Sequence, residues 1–159
     1  MIPGKIVSFL DRANVSHAGT RDRNLVPHGH RVSGWRLNHD GSTLTVLLPD
    51  GARPHLIESL EDNGQFSVTI EEYPAHETYQ FKGRYVRHRR VDGDDIDVAN
   101  RVRERFVSSV IQLFGEAAAV PLRAFSQRPA LAVEFLVDEI YVQTPGPGAG
   151  ARLFPAAEA

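Results

Sequence analysis

The sequence predicts a mainly β domain with packed helices, an α+β protein built on a small antiparallel barrel. Three observations lead there. Several alternating segments follow one another through short polar turns, as antiparallel strands do. Helical patterns occur at isolated places, giving the order α, a run of β, α, β-β, α, β, so the regular βαβ rhythm of a parallel sheet is missing. No Gly-x-Gly-x-x-Gly occurs, which argues against a dinucleotide-binding α/β fold.

Each element has its own reason. Ile6, Val7 and Leu10 sit at helical spacing and predict a short first helix ending near Asn14. VSHAGT, from Val15 to Thr20, reads as a strand, and RDRN as a polar turn into NLVPHGHRVSGWRL, the second arm of a hairpin. If residues 25–37 form one strand, Val26, His28, His30 and Val32 share one face, and Arg31, Ser33 and Trp35 share the other. The turn HDGS leads into TLTVLLP, a run of strand formers. After PDGARP, Pro54 suits the first turn of a helix, where its missing N–H has no intrahelical partner to lose. Leu56, Ile57 and Leu60 give that helix an apolar stripe, and Asn63-Gly64 stops it.

QFSVTIEE alternates Phe66, Val68 and Ile70 with Ser67, Thr69 and Glu71, a period of two with one face in a core. Beyond the loop YPAHE, TYQFKGRYVRHRR reads as a long strand interrupted at Gly83 by a bulge or bend. DGDDID places acids at the start of the strongest helix, where Val98, Val102, Phe106, Val110 and Phe114 repeat every four residues and Gly115 ends the run. LAVEFLVDEIYVQ is the last strand. The remaining Gly, Pro and Ala predict no regular element, so the chain divides into one domain over residues 1–144 and a tail over 145–159.

Composition narrows the chemistry. With 159 residues the chain suits one domain with a sizeable core, and 42% hydrophobic with 24% charged residues is a soluble globular balance. A net charge of −2 does not draw the protein to nucleic acid or an anionic membrane. The absence of cysteine excludes disulfides, thiolate catalysis, iron–sulfur clusters and cysteine zinc sites. The N-terminus has no signal-peptide pattern and no apolar run is long enough to span a bilayer, so a cytoplasmic location is expected.

The stretch from Asn24 to Leu37 concentrates two histidines, two arginines and the only tryptophan. His28-Gly29-His30 has the spacing of a chelating pair, but residues 31–36 bring no carboxylate, and Arg31 beside it disfavours a cation; no metal site is expected. RYVRHRR lacks the aromatic interleaving of a nucleic-acid surface and reads as a solvated strand face. DGDDID lacks the twelfth-position ligand of a calcium loop and reads as a helix cap.

Read together, the segments carry a resemblance. Pro27-x-x-x-x-Val32, a strand ending Leu48-Pro49, a helix ending Glu61-Asp62-Asn63-Gly64, the strand Phe66 to Ile70 and a second strand reaching Phe81-Lys82-Gly83-Arg84 resemble the pyridoxamine 5′-phosphate oxidase family, the FMN-binding split barrels. The resemblance covers residues 15–91 and, more loosely, the last strand. It implies an antiparallel split β-barrel of the FMN-binding type, a homodimer with FMN at the subunit interface, and a flavin-dependent oxidoreductase acting on a small molecule. It also implies positions. His30, Arg31, Val32 and Ser33 fall on the strand along the flavin, and Leu48 and Pro49 where the next strand passes it. Arg53 and His55 fall near the phosphate, and Thr78 near the ring. Because side chains alternate, only one of His30 and Arg31 faces the cofactor. No catalytic acid or base can be named. Two alternatives remain open: an FMN- or haem-binding protein without turnover, with His28 or His30 as axial ligand, and a cofactor-free barrel acting as an interaction module.

Overall fold

The structure is a computed structural model describing residues 1–50, 53–124 and 128–155, with the backbone alone described at 53 and 54. The chain runs α1 (Gly4–Arg12), β1 (Val15–Arg21), β2 (Pro27–Arg31), β3 (Gly34–Leu37), β4 (Thr43–Pro49), α2 (Arg53–Asn63), β5 (Gln65–Glu72) and β6 (Glu77–Arg90). It continues through α3 (Gly93–Phe114), α4 (Glu116–Ala124), β7 (Pro129–Val142) and β8 (Arg152–Phe154).

All pairings are antiparallel, in the order β2-β1-β5-β6-β7-β4-β3, with β8 on β7. The two ends of that order, β2 and β3, are consecutive in the chain and separated by Val32 and Ser33 alone. Three peptide steps reach at most about 11 Å. The sheet therefore curls until its edges nearly meet, and the result is the antiparallel split barrel the sequence predicts.

Alternation fills its interior. Phe66, Val68 and Ile70 of β5 are buried while Ser67 and Thr69 are partly exposed, and Leu44, Val46 and Leu48 of β4 face Val133 and Phe135 of β7 in the same core. α1 contributes Ile6 and Phe9, whose ring meets Tyr79 edge-on at 4.8 Å, and α2 contributes Leu56 and Leu60. The interruption at Gly83 has a steric cause. A Cβ there would lie 1.9 Å from the Leu136 carbonyl oxygen, and the β6–β7 register shifts between Lys82 and Gly83. No helix among the described residues is long and apolar enough to cross a membrane.

Four expectations need correction. Residues 25–37 are not one strand: the chain breaks at Val32-Ser33, β2 pairs with β1, and β3 pairs with β4. The break shifts the side-chain parity by one. His28 and His30 stand opposite the inward Thr20 and Ala18, yet Trp35 is also inward, 4% exposed, its indole N–H donating to the Leu10 carbonyl at 3.2 Å. The four-residue stripe of α3 is only in part its buried face, since Val102 and Val110 are buried with Ala99 and Val107 while Phe114 is 66% exposed. Four residues turn about 400°, so a strict four-residue repeat drifts about 40° per step around the helix. The sequence reading placed no helix after Gly115, but α4 forms there with Pro121 inside it. Finally, the tail supplies β8, which pairs with β7 at Ile140 and Tyr141, beyond the point where β4 ends.

Candidate functional site

The break between β2 and β3 is where the barrel opens and where chemistry-bearing side chains gather. Ser33 N–H donates to the Leu47 carbonyl at 2.7 Å, tying the break to β4. α3 lies over the outer face of β3 because Gly34 has no side chain: a Cβ there would sit 3.0 Å from the Ala99 Cα. Leu47, Ala99 and Ala132 make a small apolar seam under the helix.

Charge pins the helix start. Asp92 is the N-cap, accepting from Asp95 N–H, while the Asp95 carboxylate accepts from Asp92 N–H, a reciprocal capping box. Asp95 is fully buried and also accepts from Arg89 at 2.5 and 3.2 Å, with Arg36 of β3 at 3.3 Å. The acidic run is thus a cap and an anchor. The basic run of β6 is similarly absorbed, since Arg84 chelates Asp138 at 2.9 and 3.1 Å and Arg87 chelates Glu134 at 2.9 and 3.0 Å.

On the outer side of the break, a cleft of about 440 Å³ separates the strand from α3. One wall is apolar, from Ile96, Phe106 and Val107 of α3 and Leu122 of α4. The polar part of the lining comes from Arg31 and Ser33 at the break, Asn100 and Arg103 on α3, and Arg128 just before β7. Among the described residues, three guanidinium groups and no carboxylate line this space. It suits an amphipathic anion, within the size range of small-molecule sites.

On the inner side lies a histidine patch. His28 and His30 share the inward parity of β2, and the His28 ring stacks on His55 of α2, centroids 5.1 Å apart and planes 9° from parallel. The His30 Nε2 is buried and has no hydrogen-bond partner among the described residues. Burial, with smaller contributions from His28 and His55, holds the His30 pKa below the usual histidine value, so its imidazole is kept neutral. Among the described residues no three His, Asp or Glu side chains are grouped to hold a metal ion.

The residues singled out from sequence thus fall into groups. Arg31, Val32 and Ser33 line the cleft, and His30 and His55 join His28 in the patch. Leu48 is wholly inside the core, and Pro49 ends β4 opposite Pro129. The Arg53 side chain lies outside the described residues, although its backbone opens α2. Thr78 joins neither group: it is buried, its hydroxyl donating to the His76 carbonyl at 2.9 Å and its N–H to Thr144 Oγ1 at 2.9 Å. Sequence reasoning missed Asn100, Arg103 and Arg128, which carry no motif; only the packing of α3 brings them to the break.

Comparison with known proteins places the architecture. No protein-family profile matches the chain, and no curated protein matches it in sequence. Solved structures do. HupZ from Group A Streptococcus superposes with a TM-score of 0.55 at 16% identity, covering 95% of this chain and 99% of that one. A candidate pyridoxamine 5′-phosphate oxidase from Lactobacillus delbrueckii superposes with a TM-score of 0.52 at 13% identity, covering 89% and 93%. At such identities the likeness is one of fold, and it extends over nearly the whole barrel with its helices.

Proposed function

We propose that this chain, a split barrel of the pyridoxamine 5′-phosphate oxidase type, binds FMN along β2 across the β2–β3 break and serves as a flavin-dependent oxidoreductase on a small molecule. The observation that carries the reading is the convergence of His28 and His30 with His55 in the first turns of α2, the place where the family resemblance puts the phosphate. The stacked rings of His28 and His55, with the neutral His30 beside them, bring imidazole N–H donors together where a phosphate can accept from them. The first-turn N–H groups of α2 add donors that an anion can use. When bound, FMN supplies the electron or hydride transfer, and the protein supplies orientation and electrostatics.

The protein is proposed to work as a homodimer, because Arg31 and the outer side of the break are exposed in one subunit and a second copy shields them. Light scattering of the loaded protein is expected to give twice 17.6 kDa. Denatured protein is expected to release FMN rather than FAD, and titration of flavin-free protein to quench FMN fluorescence at micromolar concentration. Absence of quenching overturns the flavin reading.

One observation favours a second reading. A neutral, buried His30 Nε2 without a partner is the form of imidazole that ligates haem iron. In that case titration with haemin gives a Soret band that His30→Ala removes, and FMN is not retained.

A further inference from the structure

We propose that the arginine cleft beneath α3 is a docking site for a small organic acid, a carboxylate on a flat apolar body, presented beside the cofactor strand. As the place of a substrate this rests on the flavin reading; as an anion site it stands by itself.

The histidine patch leaves this cleft unused, and its lining is chemically one-sided. Arg103 and Arg128 approach from α3 and the start of β7, and Arg31 closes the cleft from the break. Two acids at the start of the helix are committed elsewhere: Asp95 holds Arg36 and Arg89, and Asp92 caps the helix. Arg103 does meet Glu104 at 3.3 Å, but the two are adjacent in sequence and both partly exposed, so the pair is weak. Its Nε is buried with no hydrogen-bond partner among the described residues, so part of the desolvation that an anion demands has already happened in the free protein. Guanidinium groups match carboxylate edges in a planar fork.

The apolar wall decides the ligand's body. Phe106, one turn from Arg103 on α3, and Leu122 of α4 share with the arginines the lining of a space of about 440 Å³, room for a fused aromatic ring. Asn100 adds a neutral amide at the edge.

The test uses 2-naphthoate as probe and 2-naphthalenemethanol as its uncharged counterpart, both titrated calorimetrically into the full-length protein with and without FMN. Naphthoate is expected to bind at least tenfold more tightly than the alcohol, the ratio expected for one charge-assisted hydrogen bond. Arg103→Gln and Arg128→Gln should each weaken naphthoate about tenfold while leaving the alcohol's affinity unchanged. Arg84→Gln, on the central strand β6, outside the cleft lining and paired with Asp138, should do neither. Equal affinity for acid and alcohol, or unchanged naphthoate binding in both cleft variants, overturns the proposal. A colourless protein that still binds naphthoate through Arg103 removes the flavin reading and leaves the anion site. A yellow protein indifferent to naphthoate does the reverse.

Discussion

Gly34→Ala tests whether the cleft owes its wall to a missing side chain. The new Cβ would meet the Ala99 Cα at 3.0 Å, the Ala99 nitrogen at 3.3 Å and Leu47 Cδ1 at 3.4 Å. Two of these are backbone atoms of α3, which cannot rotate away, so the helix must retreat by a few tenths of an ångström. Overpacking of this kind costs about 1–3 kcal/mol. Against it stands a gain of about 0.4–1 kcal/mol, because alanine restricts the unfolded chain. The net loss is about 1–2 kcal/mol, equivalent to a Tm lower by roughly 2–8 °C in a domain of this size. Gly29→Ala, five residues earlier, supplies the control. No heavy atom lies within 4 Å of its new Cβ, so only the chain-entropy gain applies and Tm should hold or rise by a few degrees. Melting by circular dichroism at one fixed protein concentration reads both. If Gly34→Ala melts at or above wild type, or if the two variants move in the same direction, α3 does not rest on the strand as described.

Further outcomes follow from the same geometry. His30→Ala should weaken FMN about ten- to a hundredfold while affecting riboflavin little, and Arg31→Ala should spare FMN; fluorescence titration of both variants separates them, and the reverse order contradicts the phosphate assignment. Because burial lowers the His30 pKa, its contribution to stability is present above the unfolded value near 6.5 and is lost as pH falls, so Tm should decline between pH 7 and 5. His30→Gln should flatten that decline in thermal melts. Asp40 has its pKa lowered by the Thr43 hydroxyl and by the N–H groups of Ser42 and Thr43, the latter two at 2.9 Å. Its contribution is therefore present above about pH 4 and fades below it, and Asp40→Asn should melt lower than wild type at pH 6, with the gap narrowing as the pH falls below about 4.

Much of the fold is local and was readable as sequence. The alternation of Phe66, Val68 and Ile70 declares β5 because a pleated strand has period two, and Pro54 with Gly64 brackets α2 because each satisfies a helix end's backbone geometry. Asp92 announces α3 through a hydrogen bond three residues long. What stayed hidden depends on contacts between distant segments. The split at Val32-Ser33 exists because β2 finds β1 and β3 finds β4, a competition between partners that the stretch itself does not encode. β8 exists because β4 begins only at Thr43, opposite Leu136, and leaves the β7 edge free to pair at Ile140 and Tyr141. The candidate site is of the same kind. Arg31 and the histidines of β2 were visible as an unusual concentration of donors, but Arg103 lies seventy-two positions beyond Arg31 and meets it only through the tertiary packing of α3 over Gly34. Periodicity tells which residues share a face, and it takes the packed chain to decide which faces meet.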